Sequence, residues 1–403
     1  MVAAMEREYP VYSSLKYPKA CSIAEARACL AKDEVALLFV LGSEASYLVV
    51  VSAKEDARTG GIAVHTLPEA GEIAEMVVGL TQSRVLDDAD ATRELGALAY
   101  RMLLAPAAGA IAGKRLVIVP GGVLGQLPFE LLAEPREGGT QFLIQGHSIR
   151  YAPSLTALHM IGRWELERPA TERTLWTLGD PVYSSTDERL AAKVEPSAGS
   201  VQLAARLRGG ERGTTFERLE GSGIEVDRLA ALMGGGERLI GAEANEANVK
   251  RLSADGTLAK YRYIHFACHG VLGTGKNAQP GLVLAQVGNP PDVDGYLRLD
   301  EVTDLRLNAD LVVLSACQTG QGQVFRAEGV SGLARAFLYA GCRGVLCSLW
   351  SVQDQATAEL MADIYAGLKG GKSAADALRS AQLKMIDAGE PPLRWAPFVL
   401  IGR

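Results

Sequence analysis

Short apolar runs that stop abruptly at small residues constrain this chain more than any other feature. RLVIVPGG (Arg115 to Gly122), YIHFACHG (Tyr263 to Gly270) and LVVLSACQTGQG (Leu311 to Gly322) are the clearest of them. A run of this kind has no polar face, so as a strand it is covered on both sides, which is the condition of a strand in a parallel sheet packed under helices. Helical periodicity lies between the runs, over Glu69 to Leu80, Ala89 to Leu104, the stretch up to Met233, Ala244 to Leu252, Gly329 to Tyr339 and two helices between Gln355 and Ile386. Further strands are expected at LWTLGDP, Arg238 to Ile240, Leu282 to Ala285, Gly344 to Leu349 and the closing WAPFVLIG. Alternation of this kind predicts an α/β fold with a mostly parallel sheet covered on both faces.

Near the start the pattern differs. Val35 to Leu41 and Tyr47 to Ala53 flank the turn Gly42-Ser43-Glu44 and read as a hairpin, to which Ile62 to Leu67 adds a third strand. The first 30 residues read as a connector with one short helix capped at Ser22. A strand-like stretch over Phe142 to Tyr151 and a helix from Ser154 precede a boundary placed near residue 168. Three parts are therefore expected, 1–30, 31–168 and 169–403. Residues Ser184 to Gly223, rich in Gly, Ser, Glu and Arg, read as a long surface loop.

Composition narrows the function. With 48% hydrophobic residues over 403 positions the chain can bury a large core or two moderate ones, and a net charge of −6 with no dense basic run excludes a general nucleic-acid binder. Six cysteines and no signal peptide suit free thiols in a reducing, cytoplasmic setting. The apolar stretch Leu95 to Gly113 is broken by Arg101 and Pro106, so no membrane span is expected.

His269 and Cys317, 48 residues apart, each stand where an apolar strand gives way to a small-residue turn. In open α/β sheets, ligands bind beyond the carboxyl ends of strands. A thiol becomes nucleophilic when a nearby imidazole takes its proton, so the pair is a candidate hydrolytic dyad. Gly270 and the amide of Cys317 are candidate donors to an oxyanion. Either residue alone is equally well read as an ordinary buried thiol or turn histidine.

These residues resemble a known family, the CHAT domain, a bacterial branch of the caspase-like and separase-like cysteine peptidases. The resemblance is carried by LVIVPGGVLGQLPFELL, IRYAPSL, LGDP, EANVK, IHFACHG, LVVLSACQTGQG, EGVSGLARAFLYAGCRGVLCSLWSVQDQAT and WAPFVLIG. It implies a caspase-hemoglobinase fold, an αβα sandwich with a catalytically silent first half and an active second half. It also implies His269 as general base and Cys317 as nucleophile of a cysteine endopeptidase acting on a protein substrate, with no cofactor and no metal. Members often carry tetratricopeptide repeats, and no repeat of that period is found here. An activating sensor protein or a repeat region is thus an implied partner. A regulatory or scaffold module on the same fold is the competing reading.

In caspase-like enzymes that cut after Arg or Lys, acids stand after the first strand and beyond the nucleophile. Asp180 and Asp354 hold those places here, with Trp350 as a pocket wall. LWSVQD has serine where separases have their first acid, LWDVTD, which weakens the expectation of basic selectivity. Asp180 can equally be a turn residue before proline and Asp354 a helix cap. Cys268 is set aside because adjacent strand residues point to opposite faces. The pair His265 and His269 lacks a third metal ligand, and GGKS at Gly370 to Ser373 lacks the glycine a phosphate loop needs, Ala366 standing there.

Overall fold

The computed structural model describes residues 20–53, 61–165, 168–190, 216–271, 279–315, 327–350 and 354–403. The chain divides into two compact units, the first formed by residues up to Gln82, Asp90–Arg168 and Ile401–Arg403, the second by Ser83–Ala89 and Pro169–Leu400.

In the first unit, strands β1 (Glu34–Val40), β2 (Ser46–Ser52) and β3 (Ile62–Leu67) form an antiparallel meander. β4 (Arg115–Val119) joins β1 in parallel, and β7 (Ile149–Tyr151) joins β4 in parallel. Between them, β5 (Ala133–Arg136) and β6 (Gly139–Phe142) pair as a separate hairpin. The principal helices are α1 (Ile23–Ala28), α2 (Ala70–Leu80), α3 (Ala89–Leu103) and α4 (Leu155–Glu165).

Ser22 opens α1 as expected, accepting from the Glu25 amide while Glu25 reaches back to the Ser22 amide. Cys29 and Leu30, expected in a connector without a core, pack with Ala36, Val51, Val117 and Leu158. The strand expected over Phe142 to Tyr151 is interrupted by a helical turn at Leu143–Gly146. Phe142, Leu143 and Ile144 are all buried, and an apolar run buried on every side has no period to distinguish turn from strand.

Two buried carboxylates in this unit are handled in opposite ways. Glu34 meets the Arg150 guanidinium through two bonds, Nε to Oε1 at 2.9 Å and Nη2 to Oε2 at 3.0 Å. Among the described residues no cation pairs with Glu130. It accepts from the Tyr151 hydroxyl at 2.6 Å, and that hydroxyl accepts from the Phe129 amide at 2.7 Å. Burial pushes the Glu130 carboxyl up to about 7, with the Tyr151 bond opposing the rise. A folded-state value above the ordinary 4.5 means the folded chain holds this proton more tightly. The stability this contributes is complete below about pH 4.5 and is lost as pH rises through about 7. We expect Glu130→Gln to remove that decline, on the order of 3 kcal/mol between these limits. Urea titrations of both forms across that range check it, and parallel pH profiles would reject it.

The second unit is built on parallel strands. β8 (Arg173–Pro181) lies between β9 (Glu237–Gly241) and β10 (Tyr261–Ala267), and β14 (Leu311–Leu314) lies between β10 and β15 (Gly344–Ser348), every pair parallel. β16 (Phe398–Gly402) is the neighbour of β15. Helices α5 (Glu220–Met233), α6 (Glu246–Ala254), α7 (Ala327–Tyr339), α8 (Asp354–Lys369) and α9 (Ala374–Asp387) accompany them. Leu175, Leu229, Tyr263, Val313, Ile364 and Leu400 share one core cluster.

One strand departs from simple alternation. β12 (Gly281–Val283) lies between β11 (His269–Val271) and β13 (Tyr296–Arg298) in a small antiparallel sheet of its own. Its three apolar residues are buried like those of a parallel strand, so burial alone did not reveal the direction.

Candidate active site

Register brings Asp180 and His269 to neighbouring strand ends. Phe266 of β10 is level with Leu178 of β8 and Leu314 of β14, so these three strands end side by side. Asp180 lies at the end of β8, His269 just beyond β10, and Ser315 just beyond β14, its amide donating to the Phe266 carbonyl at 2.9 Å. Cys317, two positions after Ser315, lies outside the described residues.

His269 is 2% exposed. Its Nε2 lies 2.7 Å from the backbone carbonyl of Glu217. A carbonyl only accepts, so Nε2 carries the proton and Nδ1 the lone pair in the neutral ring. Two rings flank the imidazole, Tyr183 at 5.0 Å and Phe216 at 5.4 Å between centroids. The Tyr183 hydroxyl accepts from the His269 amide at 3.3 Å and donates to the Val283 carbonyl at 3.4 Å. Burial keeps the Tyr183 phenol well above its ordinary value, so it remains a neutral hydroxyl. Gly270, the expected oxyanion donor, is buried in β11 opposite Leu282.

Asp180 is not an open acid. Its carboxylate is gripped by Arg218, through Nε at 3.1 and 3.3 Å and Nη2 at 2.9 Å, and by Arg189 through Nη1 at 2.7 Å. Arg189 is itself fixed by the Asp180 carbonyl at 2.9 Å and by both oxygens of Asp187. Hydrogen bonds from Arg189 pull the Asp187 carboxyl down to about 2. Asp180 is also the non-glycine residue with positive φ, 44°, among the described residues. Its amide donates to Ser222 Oγ at 2.8 Å, which holds that turn.

Trp350 packs part-buried against the core cluster, and its indole N–H donates to the Leu393 carbonyl at 2.9 Å. Asp354 opens α8, with its side chain outside the description. Burial pushes the Cys268 thiol up, and lifts that of Cys347 to about 12, so both stay protonated core thiols. Among the described residues no group of three or more His, Cys, Asp or Glu is arranged to hold a metal ion, and no helix is long and apolar enough to cross a membrane.

Sequence reading missed Tyr183, Phe216, the Glu217 carbonyl, Arg189 and Arg218. All lie within or beside the stretch Ser184 to Gly223 that read as surface loop. A carbonyl carries no residue signature. The two arginines had one available signal, since a carboxylate buried at a strand end requires a cation.

The fold is a mixed α/β fold of the caspase-like class. The fold aligns over 98% of this chain with 31% of the separase chain in the Saccharomyces cerevisiae separase-securin complex, at 9% identity and a TM-score of 0.50. The CHAT domain family model matches residues 92–403. The chain belongs to the CHAT domain family. It is 26% identical over 344 residues to Tetratricopeptide repeat protein 28 of Homo sapiens, and equally to that of Mus musculus. Those alignments take in 75% of this chain but only 13% of either relative.

Proposed function

We propose that this chain is a cysteine endopeptidase in which His269 activates Cys317. The observation that supports it best is the imidazole, fixed at a strand end by the Glu217 carbonyl with its proton on Nε2, one strand away from the segment that continues into Cys317. In the proposed cycle Nδ1 takes the thiol proton and the sulfur attacks the scissile carbonyl carbon. The amides of Gly270 and Cys317 receive the oxyanion. The protonated imidazole then gives its proton to the departing amine, leaving a thioester, and water activated by the same nitrogen releases the acid and restores the thiol.

Asp180, Asp354 and Trp350 are proposed to contact the residue before the scissile bond. A substrate arginine reaches Asp180 by replacing Arg218, which is about one-third exposed, rather than Arg189, which is held by three further bonds. A separate part acting as activator, such as a repeat region or a sensor protein, fits relatives far longer than this chain.

The test is a cleavage profile of the protein and its Cys317→Ala form on a proteome-derived peptide library. We expect new peptide ends only with the native thiol, clustered after Arg or Lys. Ends that persist without the thiol would sink the peptidase. Clustering after other residues would remove Asp180 and Asp354 as readers, and no cleavage in the presence of candidate activators would favour the scaffold reading.

A further inference from the structure

A buried polar network lies beneath the same strand ends and is not used by the proposed chemistry. Glu225 of α5 and His265 of β10 are 5% and 0% exposed, and Glu225 Oε1 approaches His265 Nε2 to 2.9 Å. The other carboxylate oxygen, Oε2, accepts from the Ser315 hydroxyl at 3.2 Å. On the far side of the imidazole, Nδ1 lies 3.2 Å from the Tyr365 hydroxyl of α8. Burial first, then the nearby Glu225 charge, holds the Tyr365 phenol well above its ordinary value, so it can donate. Ser315 donates to Oε2 of Glu225 and Tyr365 donates to Nδ1 of His265, while His265 Nε2 lies close against Oε1 without the alignment of a hydrogen bond.

Such a network is a poor means of stabilising a core. A carboxylate taken from water costs several kcal/mol, and apolar residues of similar size are often as good or better. What the network does fix is position. Ser315 directly follows β14 and is two positions before Cys317. From the same helix, Ser222 holds the Asp180 amide at the end of β8, one turn before Glu225. Gly179 lets α5 come that close, since a Cβ there would meet the Ser222 carbonyl at 2.8 Å.

We propose that Glu225 and Ser315 are positioning residues that set the start of the segment carrying Cys317. This rests on the reading of Cys317 as nucleophile. The carboxylate draws Ser315 toward α5 and so fixes where the backbone leaves β14, with the His265 imidazole packed against its other oxygen and bonded in turn to the Tyr365 hydroxyl. A displacement of about 1 Å in a reacting group costs roughly a hundredfold in rate.

The experiment uses the full chain and four variants, Ser315→Ala, Glu225→Ala, Glu225→Gln and the Ser315/Glu225 double alanine form. Thermal unfolding is measured beside kcat, KM and the iodoacetamide alkylation rate of Cys317, corrected by the Cys317→Ala form. We expect Ser315→Ala to stay folded, to lower kcat about 10- to 100-fold with KM little changed, and to shift Cys317 alkylation by at least about fivefold. Glu225→Ala should match it, and the double form should be no worse. Glu225→Gln should recover most of the loss, because its amide oxygen still accepts from Ser315. Unchanged alkylation in Ser315→Ala, additive losses in the double form, or no rescue by glutamine would each overturn the proposal. Alkylation reads it even where the native chain cleaves nothing, so a failed peptidase and a failed positioning role give different results.

Discussion

His269→Ala is expected to lower kcat/KM for peptide cleavage by about 10²- to 10⁴-fold while the chain remains folded. The imidazole is held on three sides, by the Glu217 carbonyl at Nε2 and by the rings of Tyr183 and Phe216. This leaves one tautomer, with the lone pair on Nδ1. Alanine removes the proton acceptor and leaves its holders in place. His269→Gln is the sharper variant, since its amide N–H can still reach the Glu217 carbonyl but cannot take a proton from sulfur at neutral pH. It should be as inactive as alanine, and what activity remains should rise with pH as the thiol ionises unaided. Pre-steady-state cleavage of a fluorogenic peptide from pH 5 to 9 provides the measurement. A glutamine form within tenfold of native would show that the imidazole orients and does not transfer a proton.

Arg150→Met is expected to destabilise the first unit by about 3–5 kcal/mol. Burial by itself would raise the Glu34 carboxyl, but the bonds and charge of Arg150, with the Ala31 amide and Arg115, bring it down to about 2. With Arg150 gone, Glu34 keeps Arg115, whose side chain is 42% exposed, and the Gly402 carbonyl loses its 2.7 Å donor. A carboxyl depressed from 4.5 to about 2 contributes stability that is complete above pH 4.5 and is lost as pH falls through 2. In the methionine form that acid dependence should largely vanish. Guanidinium titrations of both forms at pH 7 and pH 3 decide it, and a loss below about 1 kcal/mol would mean the pair contributes little beyond its own desolvation. Glu34→Met added to Arg150→Met should restore much of the loss, because the stranded charge is gone.

The fold was legible where residue type and period agree. Continuous apolar runs ending at a glycine, such as LWTLGDP and YIHFACHG, marked parallel strands because only a sheet covered on both faces tolerates them. Gly42-Ser43-Glu44 between two β-rich runs marked the opening hairpin. The turn at Leu143–Gly146 and the direction of β12 were not legible, since uniformly buried residues leave no pattern to read. At the site, His269 stood out by chemistry and setting. Asp180 was singled out as an acid, but its two arginines come from positions 9 and 38 residues further along, a distance no local pattern spans. His265 was weighed only as a metal ligand beside His269 and set aside, and its partner Glu225 was not singled out. The contact between them depends on which face α5 turns inward, and that face mixes Ser222 and Glu225 with Val226 and Leu229.

The Glu217 carbonyl has a consequence for how a site of this kind changes over time. The group that fixes the imidazole belongs to the peptide linkage, so replacing the Glu217 side chain leaves the acceptor present. Drift in residue type at that position is therefore invisible to the imidazole it supports. What the position must keep is its path into α5, which opens three residues later at Glu220, so an insertion or deletion between them carries more weight than a substitution.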